Sequence, residues 1–569
     1  MTPAVSASRA AASMTPVSFI ERFYEVLATH PTKALTTEVH TSTLVPTDGK
    51  ALGSLVAFAR AALRGHGVKP TDRVVFVANN STRWVALDLA ILGEGAIAVP
   101  LYARQAPREL AGMIADCSPT LVVAENQALA DALAPHLNVS SSPLVPVLLD
   151  SLFAATRTPV TDPPHPRQPT DLVTIIYTSG TSGEPKGVTY SVNNVDYMLP
   201  VIRDAIQSML GANSTQDRVF HYLPFCFAGS RMVLWMTLYR ASGILLSTDL
   251  NKLVDEMKAA RPNYYLNVPF LLERVRLGVE KKLMAKPAPI RLLWKKAKAA
   301  YVRSLVGEAT LLDKAILSLS ERLVFRVIKA QIGPDLICLI CGSAALPEDT
   351  QRWFEMLGLP VYQVYGLTET TAIVTMDKPD AALTRRLGKV GWPIPGVELR
   401  LGAEDELQVR GANIFPGYWN RDAATAETRT EDGWFRTGDQ AELDASFSLK
   451  LIGRVKNVLV PQSGHNVAPE PIEERLLRLP GVEQAVVFGH ARPHLVAVLT
   501  GDNLDKAALN KDLEAINADL PFYKRIRDVH LTADRLTPEN GCLTANQKLK
   551  RKAIERHFAT HLDTLYKST

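Results

Sequence analysis

The sequence predicts an α/β protein with a large N-terminal domain of parallel sheets and a small α+β domain after it. First, short apolar strands alternate with helices, as at 73–77, 84–92 and 96–100, and this alternation is typical of parallel βαβ units. Second, 569 residues exceed what one hydrophobic core usually organises. Third, apolar runs at 482–489 and 495–499, flanked by helical patterns, indicate a separate C-terminal unit.

The elements follow in order along the chain. We expect residues 1–14 to be a disordered tail, 15–453 to form the N-terminal domain and 454–569 to form the small C-terminal domain, called the lid here. Each predicted element is given by its range: helix 17–27, strands within 34–44, strand 73–77, helix 84–92, strand 96–100, helix 109–116, strand 120–124, linker 159–169, strand 218–224, helical insertion 276–330, strand 336–341, and lid helices 471–478, 506–518 and 552–561.

Composition narrows the class of protein. A hydrophobic fraction of 47%, a charged fraction of 21% and a net charge of +5 are typical of a soluble globular protein and do not indicate a nucleic-acid partner. Five cysteines are too few for a disulfide framework. Cys338 and Cys341 form a C-x-x-C, but they lie in an apolar run without further ligands, so we expect buried strand cysteines rather than a zinc or redox site.

The same data bear on location. Cysteine usage suits a reducing cytosol, and no apolar stretch reaches the length of about 18 residues that a spanning helix needs. We therefore expect a cytoplasmic protein. Residues 276–303 carry nine Lys and Arg against one Glu. They leave two interpretations open, a solvated helical face or a peripheral contact with the anionic inner face of a membrane.

One stretch stands out as a candidate phosphate site. Residues 177–187 read Tyr-Thr-Ser-Gly-Thr-Ser-Gly-Glu-Pro-Lys-Gly and follow a buried-strand pattern at 172–176. Glycines let successive N–H groups point into one concavity, hydroxyls add donors, and a lysine adds a point charge, a combination that suits a polyphosphate. No Gly-Lys-Ser/Thr occurs, so this is not a Walker A loop.

This order of residues resembles the phosphate loop of the adenylate-forming superfamily, which includes acyl-CoA synthetases, luciferases and peptide-synthetase adenylation domains. The resemblance implies ATP and Mg²⁺ as ligands, and an N-terminal domain that includes a small distorted β-barrel, followed by a mobile lid. It assigns the leaving phosphates to Thr178, Ser179, Gly180, Thr181, Ser182, Gly183 and Lys186.

Further segments match the superfamily in the required order. Gly342, Ser343 and Ala344 follow a buried strand, where a glycine lets a flat base lie along the backbone. The next strand ends in Tyr-Gly-Leu-Thr-Glu-Thr at 365–370. The resemblance assigns the adenine to Tyr365, the α-phosphate to Thr368 and the Mg²⁺ ion to Glu369, since a carboxylate is a suitable hard ligand. Gly366 belongs to the same ATP-binding set.

The remaining nucleotide residues come from the domain boundary and the lid. The resemblance implies that Asp439 binds the ribose hydroxyls, that Arg454 makes a second ribose or phosphate contact, and that Lys456 is the hinge. The alternative is a turn cap for Asp439 and a surface salt bridge for Arg454 and Lys456. The last motif, 543–552, places Lys548 at the site for the first half-reaction, with Lys550 as the alternative register. The implied catalytic residues are Lys186, Thr368, Glu369 and Lys548.

Within the superfamily the resemblance is greatest to bacterial long-chain acyl-CoA synthetases and covers roughly 15–565, supported by the insertion at 276–330 and by 464–473. It implies a ligase that joins a fatty acid to coenzyme A. The chain departs from the pattern at Phe227 (usually His), Asn457 (usually an acid) and His465. Phe225, Phe227, Ala228 and Gly229 are expected to form an apolar wall for an alkyl chain or a ring.

Other functions stay open from sequence. One is transfer of the acyl adenylate to a carrier protein, or closure of a β-lactone. Another is an aryl or other acid as substrate. A third is a non-catalytic descendant of the family, which the presence of Lys186, Glu369, Asp439 and Lys548 disfavours. A monomer and a homodimer are equally compatible with the sequence.

Overall fold

The protein is described here by a computed structural model, which describes residues 18–137, 144–179, 185–211, 217–344, 346–544 and 548–567. Within these ranges the chain is a mixed α/β structure with parallel sheets, a large N-terminal domain and a smaller C-terminal domain, as predicted. The predicted tail, 1–14, lies outside the described residues.

A six-stranded sheet occupies the first part of the chain, in strand order β6-β5-β3-β4-β7-β8, parallel except for the last pair. Its elements and their neighbours are α1 (Phe19–Thr29), β1 (Ala34–His40), β2 (Thr43–Asp48), α2 (Gly49–Gly65), β3 (Arg73–Val77), α3 (Thr82–Gly93), β4 (Ile97–Leu101), α4 (Pro107–Cys117), β5 (Leu121–Ala124), α5 (Gln127–Leu137), β6 (Val147–Leu148), β7 (Leu172–Ser179) and β8 (Pro185–Ser191). Alternate residues of β3 enter two different cores, because Val74 and Phe76 pack on one face and Val75 and Val77 on the other.

Two more sheets complete the parallel part. Strands β2-β1-β10-β9 form one sheet, and β11-β12-β13-β14-β15 form the other, whose first three strands are parallel. The elements are α6 (Val192–Leu210), β9 (Arg218–His221), α7 (Ala228–Tyr239), β10 (Gly243–Ser247), α8 (Leu253–Ala260), β11 (Leu266–Asn267), α9 (Pro269–Met284), α10 (Ala288–Leu305), α11 (Leu311–Ser320), α12 (Arg326–Ile332), β12 (Leu339–Cys341), α13 (Glu348–Met356), β13 (Val361–Tyr365), β14 (Thr375–Met376), α14 (Leu383–Arg386) and β15 (Trp392–Pro393).

The predicted insertion is helical throughout its core. Helices α9 and α10 form its first half, and a π-helical turn, Glu321–Phe325, joins α11 to α12. Trp294 and Phe325 pack edge to face inside this unit, and Trp294 also contacts Trp353 of α13. The insertion therefore shares a hydrophobic core with the rest of the N-terminal domain.

The resemblance implied a small distorted β-barrel in the N-terminal domain. After the parallel sheets, the strands of this domain pair as a four-stranded antiparallel sheet, β16-β17-β18-β19. The lid has a three-stranded sheet, β20-β21-β22, with helices on both faces. These elements are β16 (Glu398–Leu401), β17 (Glu406–Arg410), α15 (Asp422–Glu427), β18 (Phe435–Leu443), β19 (Leu449–Arg454), α16 (Glu470–Leu476), β20 (Gln484–Phe488), β21 (Leu495–Thr500), α17 (Lys506–Ala518), β22 (Ile526–Thr532), α18 (Arg551–His557) and α19 (Ala559–Lys567).

Several sequence expectations need correction. The strand expected at 218–224 ends at His221, since the chain turns before α7. The single lid helix expected at 552–561 is two helices that break at Phe558. Strand β22 was not predicted. Cys338 and Cys341 are buried free thiols, which agrees with the prediction, and no described helix meets the length and hydropathy that a membrane span requires.

Candidate functional site

The predicted phosphate stretch connects β7 to β8, two antiparallel strands. Thr178 lies opposite Lys186 in this hairpin, and the backbone of Ser179 pairs with Pro185. The Trp419 N–H donates to the Gly187 carbonyl oxygen at 2.7 Å and holds the return strand. Gly180, Thr181, Ser182 and Gly183 lie outside the described residues. Lys186 therefore stands at the base of the loop, on a regular strand.

The predicted adenine site follows β12. Gly342 is buried, and a Cβ there would come within 2.9 Å of the Val364 side chain, so close strand packing requires the glycine. Ser343 and Ala344 are exposed, and Ser343 has φ +73°. A non-glycine residue in this left-handed region stores backbone strain, which often accompanies a functional site. The turn is therefore a strained segment packed next to β13, where the resemblance places the adenine.

The segment 365–370 begins at the end of β13 and continues as a 3₁₀ turn, Thr368–Thr370. At Gly366 a Cβ would lie 2.1 Å from the carbonyl oxygen of Ala372, because the chain folds back on itself here. The Tyr190 hydroxyl donates to the Thr368 carbonyl oxygen at 2.8 Å. These contacts fix the backbone from which the Thr368 and Glu369 side chains extend.

Asp439 is the meeting point of three strands. Its Oδ2 accepts a hydrogen bond from the Tyr365 hydroxyl at 2.6 Å, and its Oδ1 pairs with Arg454 Nε at 2.7 Å across β18 and β19. Burial and the neighbouring carboxylate raise the pKa of Tyr365 well above its usual value. Two predicted nucleotide residues thus contact the predicted ribose acid directly.

Lys548 of the lid faces this group. The Lys548 side chain is exposed in the cleft between the lid and the N-terminal domain, and the walls of the cleft partly desolvate its ammonium. Desolvation is the main cause that lowers its pKa, the charge of Arg454 lowers it further, and Asp439 and Glu369 oppose both. Its carbonyl accepts from Thr544 N–H at 2.8 Å, which anchors the turn. Lys550 instead lies 3.9 Å from Glu109 at the surface, so the geometry favours the predicted register.

This lowered pKa has a consequence for pH dependence. If protonated Lys548 acts in adenylation, kcat/KM for ATP must fall as the pH rises through its pKa in the free enzyme. We expect this alkaline limb to lie below the 10.5 of an ordinary lysine. Lys548→Arg should move the limb to higher pH, since a guanidinium stays charged. An identical limb in both proteins would contradict the assignment.

Tyr418 is a site residue that the sequence did not reveal. Its hydroxyl donates to Glu369 Oε1 at 2.7 Å, and its ring lies 4.9 Å from the Lys186 ammonium. One side chain therefore contacts both the predicted Mg²⁺ ligand and the predicted phosphate lysine. The Tyr418 hydroxyl bonds only Oε1 of Glu369, so Oε2 remains available to bind a metal ion. A half-buried carboxylate oriented in this way suits Mg²⁺.

Tyr418→Phe should remove the hydrogen bond to Glu369 and keep the contact of the ring with Lys186. Loss of the hydroxyl leaves Glu369 unoriented, so we expect the Mg²⁺ concentration for half-maximal adenylation to rise about 10-fold, as is common when a partner of a metal ligand is lost. Tyr197→Phe is the matched control, because that hydroxyl donates to the Pro395 carbonyl oxygen elsewhere. Unchanged Mg²⁺ dependence in Tyr418→Phe would show that the hydrogen bond does not position Glu369.

The predicted acyl wall divides between core and surface. Phe225 is fully buried, with ring centroids 5.1 Å from Trp84 and 4.8 Å from His221. Phe227 is half-buried, 5.7 Å from Tyr102. Phe225 thus packs in the core, and Phe227 is the phenylalanine that retains an accessible face.

The rest of the wall begins α7. Ala228 is buried and Gly229 is half-buried at the first turn of this helix, for which Phe227 is the N-cap. Burial lowers the pKa of nearby His221 to about 3, so this imidazole is neutral at physiological pH. His221 therefore supplies no positive charge near Phe227, the position at which the resemblance expects a histidine.

The predicted hinge is a short 3₁₀ turn, Val455–Asn457, between β19 and the lid. Lys456 is exposed there. The Asn457 amide donates to Glu470 Oε1 at 2.7 Å, so the residue after the hinge is tied to the first helix of the lid. Rotation at Lys456 would therefore move Asn457 with the lid.

Comparisons with known proteins agree with this arrangement. A family model described as AMP-binding enzyme matches residues 50–419, and one described as AMP-binding enzyme C-terminal domain matches residues 456–569. Long-chain-fatty-acid--CoA ligase FadD15 of Mycobacterium bovis is 29% identical over 548 residues, covering 88% of this chain and 89% of that protein.

A second relative and a solved structure extend the comparison. The chloroplastic long-chain-fatty-acid--[acyl-carrier-protein] ligase AEE15 of Arabidopsis thaliana is 24% identical and covers 89% of this chain and 80% of its own. The structure of ATP-bound MatB from Rhodopseudomonas palustris superimposes with a TM-score of 0.73 at 23% identity, covering 95% of this chain and 99% of that one.

The two family models together span most of the chain, and the matched regions contain the hairpin at Lys186, the turn at Glu369 and the lid lysine Lys548. This chain belongs to the AMP-binding enzyme family and is an adenylate-forming enzyme.

Proposed function

We propose that this enzyme is a long-chain fatty acid–CoA ligase, which activates its acid as an acyl adenylate and passes the acyl group to coenzyme A. The observation that carries the proposal is the group of predicted nucleotide residues at the domain boundary, where Asp439 contacts Tyr365 and Arg454 and Lys548 of the lid lies near enough for Asp439 and Glu369 to affect its pKa. A cation between two predicted nucleotide ligands is what an adenylation site needs.

The first half-reaction joins two anions. A fatty-acid carboxylate oxygen attacks the α-phosphorus of ATP, the bond to the β-phosphate oxygen breaks, and pyrophosphate leaves. Lys548 would hold the attacking carboxylate beside the α-phosphate and offset the repulsion between them. Thr178 and Lys186 would hold the leaving phosphates, and Asp439 the ribose. Mg²⁺ held by Glu369 would neutralise phosphate charge.

The second half-reaction needs a different lid position. The thiolate of coenzyme A attacks the acyl carbon, and AMP leaves as its bond to that carbon breaks. We infer that the lid turns at Lys456 and carries Lys548 away. The cross-domain pair of Lys550 with Glu109 is long, at 3.9 Å, and exposed, so it contributes little resistance to such a rotation.

The substrate class rests on three features. Phe227 and Gly229 give an apolar surface at the start of α7. Residues 276–330 form helices, as the resemblance to long-chain enzymes implies. The relative in Mycobacterium bovis is named as a long-chain fatty acid ligase.

An alternative acceptor, a carrier protein, is favoured by the name of the Arabidopsis relative. An aryl acid is favoured by Phe227, which replaces the usual histidine.

One experiment tests the substrate class. Pyrophosphate release is measured with acids from acetate to palmitate and with aryl acids, and the nucleotide product is identified. We expect AMP, pyrophosphate and the highest kcat/KM with long alkyl chains. No response to any medium or long chain would overturn the fatty-acid assignment, and ADP as product would overturn adenylation itself.

A second experiment identifies the acceptor. Acyl adenylate formed in place is offered coenzyme A or a phosphopantetheine-bearing carrier protein, and the thioester is detected by mass spectrometry. We expect the coenzyme A thioester. Acyl transfer to the carrier protein alone would make that protein the acceptor in place of coenzyme A. A β-lactone formed without any thiol would show that no thiol accepts the acyl group.

A further inference from the structure

Positive charge is concentrated in the segment 269–332, which comprises helices α9 to α12 and is called the helical platform here. It holds fourteen of the 63 Lys and Arg and five of the 58 Asp and Glu, a net charge of +9. Since the whole chain has +5, the remainder has −4. The platform is therefore a strongly basic surface on an otherwise slightly acidic protein.

The same segment carries most of the exposed apolar side chains. Of twenty large hydrophobic residues that are exposed among those the structure describes, eleven lie between 270 and 327. They are Phe270, Leu277, Met284, Leu292, Val302, Val306, Leu311, Leu312, Leu319, Leu323 and Val327. Single exposed hydrophobic residues are normal on a protein surface, so this concentration in one segment makes the segment a candidate interaction surface.

Helix α9 is apolar on two opposite faces. Leu272 and Leu283 are buried in the core of the platform, with Val275 and Val279 packed beside them. Phe270, Leu277 and Met284, spaced seven residues apart, are 64%, 55% and 52% exposed. At 3.6 residues per turn these two sets lie on opposite sides of the helix. Packing explains the first set and leaves the second in solvent.

The α11–α12 unit repeats this arrangement. Val324, Phe325 and Ile328 are buried. Leu312, Leu319, Leu323 and Val327 follow one another at intervals of seven, four and four residues and stay exposed, from 48% for Leu319 to 69% for Leu312. This stripe also lies away from the core.

Most of the basic side chains around these stripes are unneutralised. Within the described residues, the exposed side chains of Lys281, Lys282, Lys295 and Lys296 have no carboxylate within ion-pair distance. By contrast Arg303 pairs with Asp313 and Lys298 with Glu280, pairs that tie α10 to its two neighbours. The paired cations hold the platform together, and the free ones remain for a partner.

We propose that the helical platform docks on an anionic lipid bilayer, with the exposed stripes of α9 and α11–α12 entering the interface and the unpaired lysines binding headgroups. Apolar side chains beside lysines are the combination that binds anionic membrane surfaces. A second copy of this chain fits less well, since two surfaces of +9 repel each other. The surface extends well beyond the predicted contact at 276–303, because the α9 stripe begins before it at Phe270 and the α11–α12 stripe lies entirely after it.

The test is co-sedimentation of the full-length protein with vesicles of phosphatidylcholine containing phosphatidylglycerol, and with phosphatidylcholine alone. We expect binding only to the anionic vesicles, weakened by salt. Leu312→Ser/Leu319→Ser/Leu323→Ser should reduce binding about 10-fold or more, as should Lys281→Gln/Lys282→Gln/Lys295→Gln/Lys296→Gln. Matched controls are Leu44→Ser/Val45→Ser on β2, also exposed, and Lys33→Gln/Lys50→Gln.

The readouts separate this proposal from the proposed ligase. Every variant should melt at the wild-type temperature and form acyl adenylate from a short, soluble acid at the wild-type rate, because none of the changed residues contacts the site. Vesicle binding that survives in the leucine variant overturns the proposal. So does a leucine variant that turns a dimer into a monomer without changing vesicle binding, since the stripe would then belong to a second copy.

Discussion

Lys548→Ala is expected to lower the rate of acyl adenylate formation by about 10²–10³, which is typical when one preorganised electrostatic contact to a transition state is removed. Lys548 is the lid cation whose charge interacts with both Glu369 and Asp439. Thioester formation from supplied acyl adenylate should stay close to the wild-type rate, because we infer that the lid has carried Lys548 out of the site by then. Pyrophosphate release and thioester formation are measured separately.

The matched control is Lys550→Ala, two residues away. Its ammonium faces Glu109, which is not a predicted site residue, in an exposed pair, so we expect adenylation within a few-fold of wild type. Equal losses in both half-reactions of Lys548→Ala would assign that lysine to binding or folding. A large adenylation defect in Lys550→Ala would shift the register of the motif.

Asp439→Asn should raise KM for ATP by about 10- to 100-fold with a smaller change in kcat. The carboxylate accepts from Tyr365 and Arg454, and we propose that it also binds the ribose hydroxyls. Hydrogen bonds to a charged group contribute about 1.5–3 kcal/mol each. The ribose is remote from the reacting phosphorus. Loss of the Asp439–ribose contact therefore weakens the binding of ATP equally in the ground state and in the transition state, and this raises KM.

Asp444→Asn is the control for this variant. Asp444 follows β18 and pairs with Lys389, away from the cleft. It should lose some stability but keep its KM for ATP. An unchanged KM in Asp439→Asn would remove this residue from the ribose site, and the Tyr365–Asp439–Arg454 contacts would then be purely structural.

The strands and the order of the site segments could be read from the sequence because their signals are local. Strand β3 is a continuous apolar run, and its two faces fill two cores. Gly342 and Gly366 mark places where a Cβ has no room. In such cases the residue type alone indicates the local structure, either a buried strand or a position without room for a side chain.

Long-range contacts left no such record. Tyr418 lies 49 residues from its partner Glu369 in sequence, and nothing around it distinguishes it from a surface tyrosine. Strand β22 reads Ile-Arg-Asp-Val-His-Leu-Thr, in which the apolar positions do not alternate regularly. Its identity depends on parallel pairing with β21, which only the folded chain provides. Phe225 was assigned to the acyl wall because neither sequence nor spacing shows that Trp84 and His221 enclose it.

The uneven distribution of charge also gives the molecule an electric dipole, with the helical platform as its positive pole. A charged surface exerts a torque on a dipole, so the protein arrives at an anionic boundary already turned toward it. The same asymmetry governs handling in the laboratory. A cation-exchange resin binds the platform, whose charge of +9 exceeds the net charge of +5. It should therefore retain this protein more strongly than the net charge alone implies.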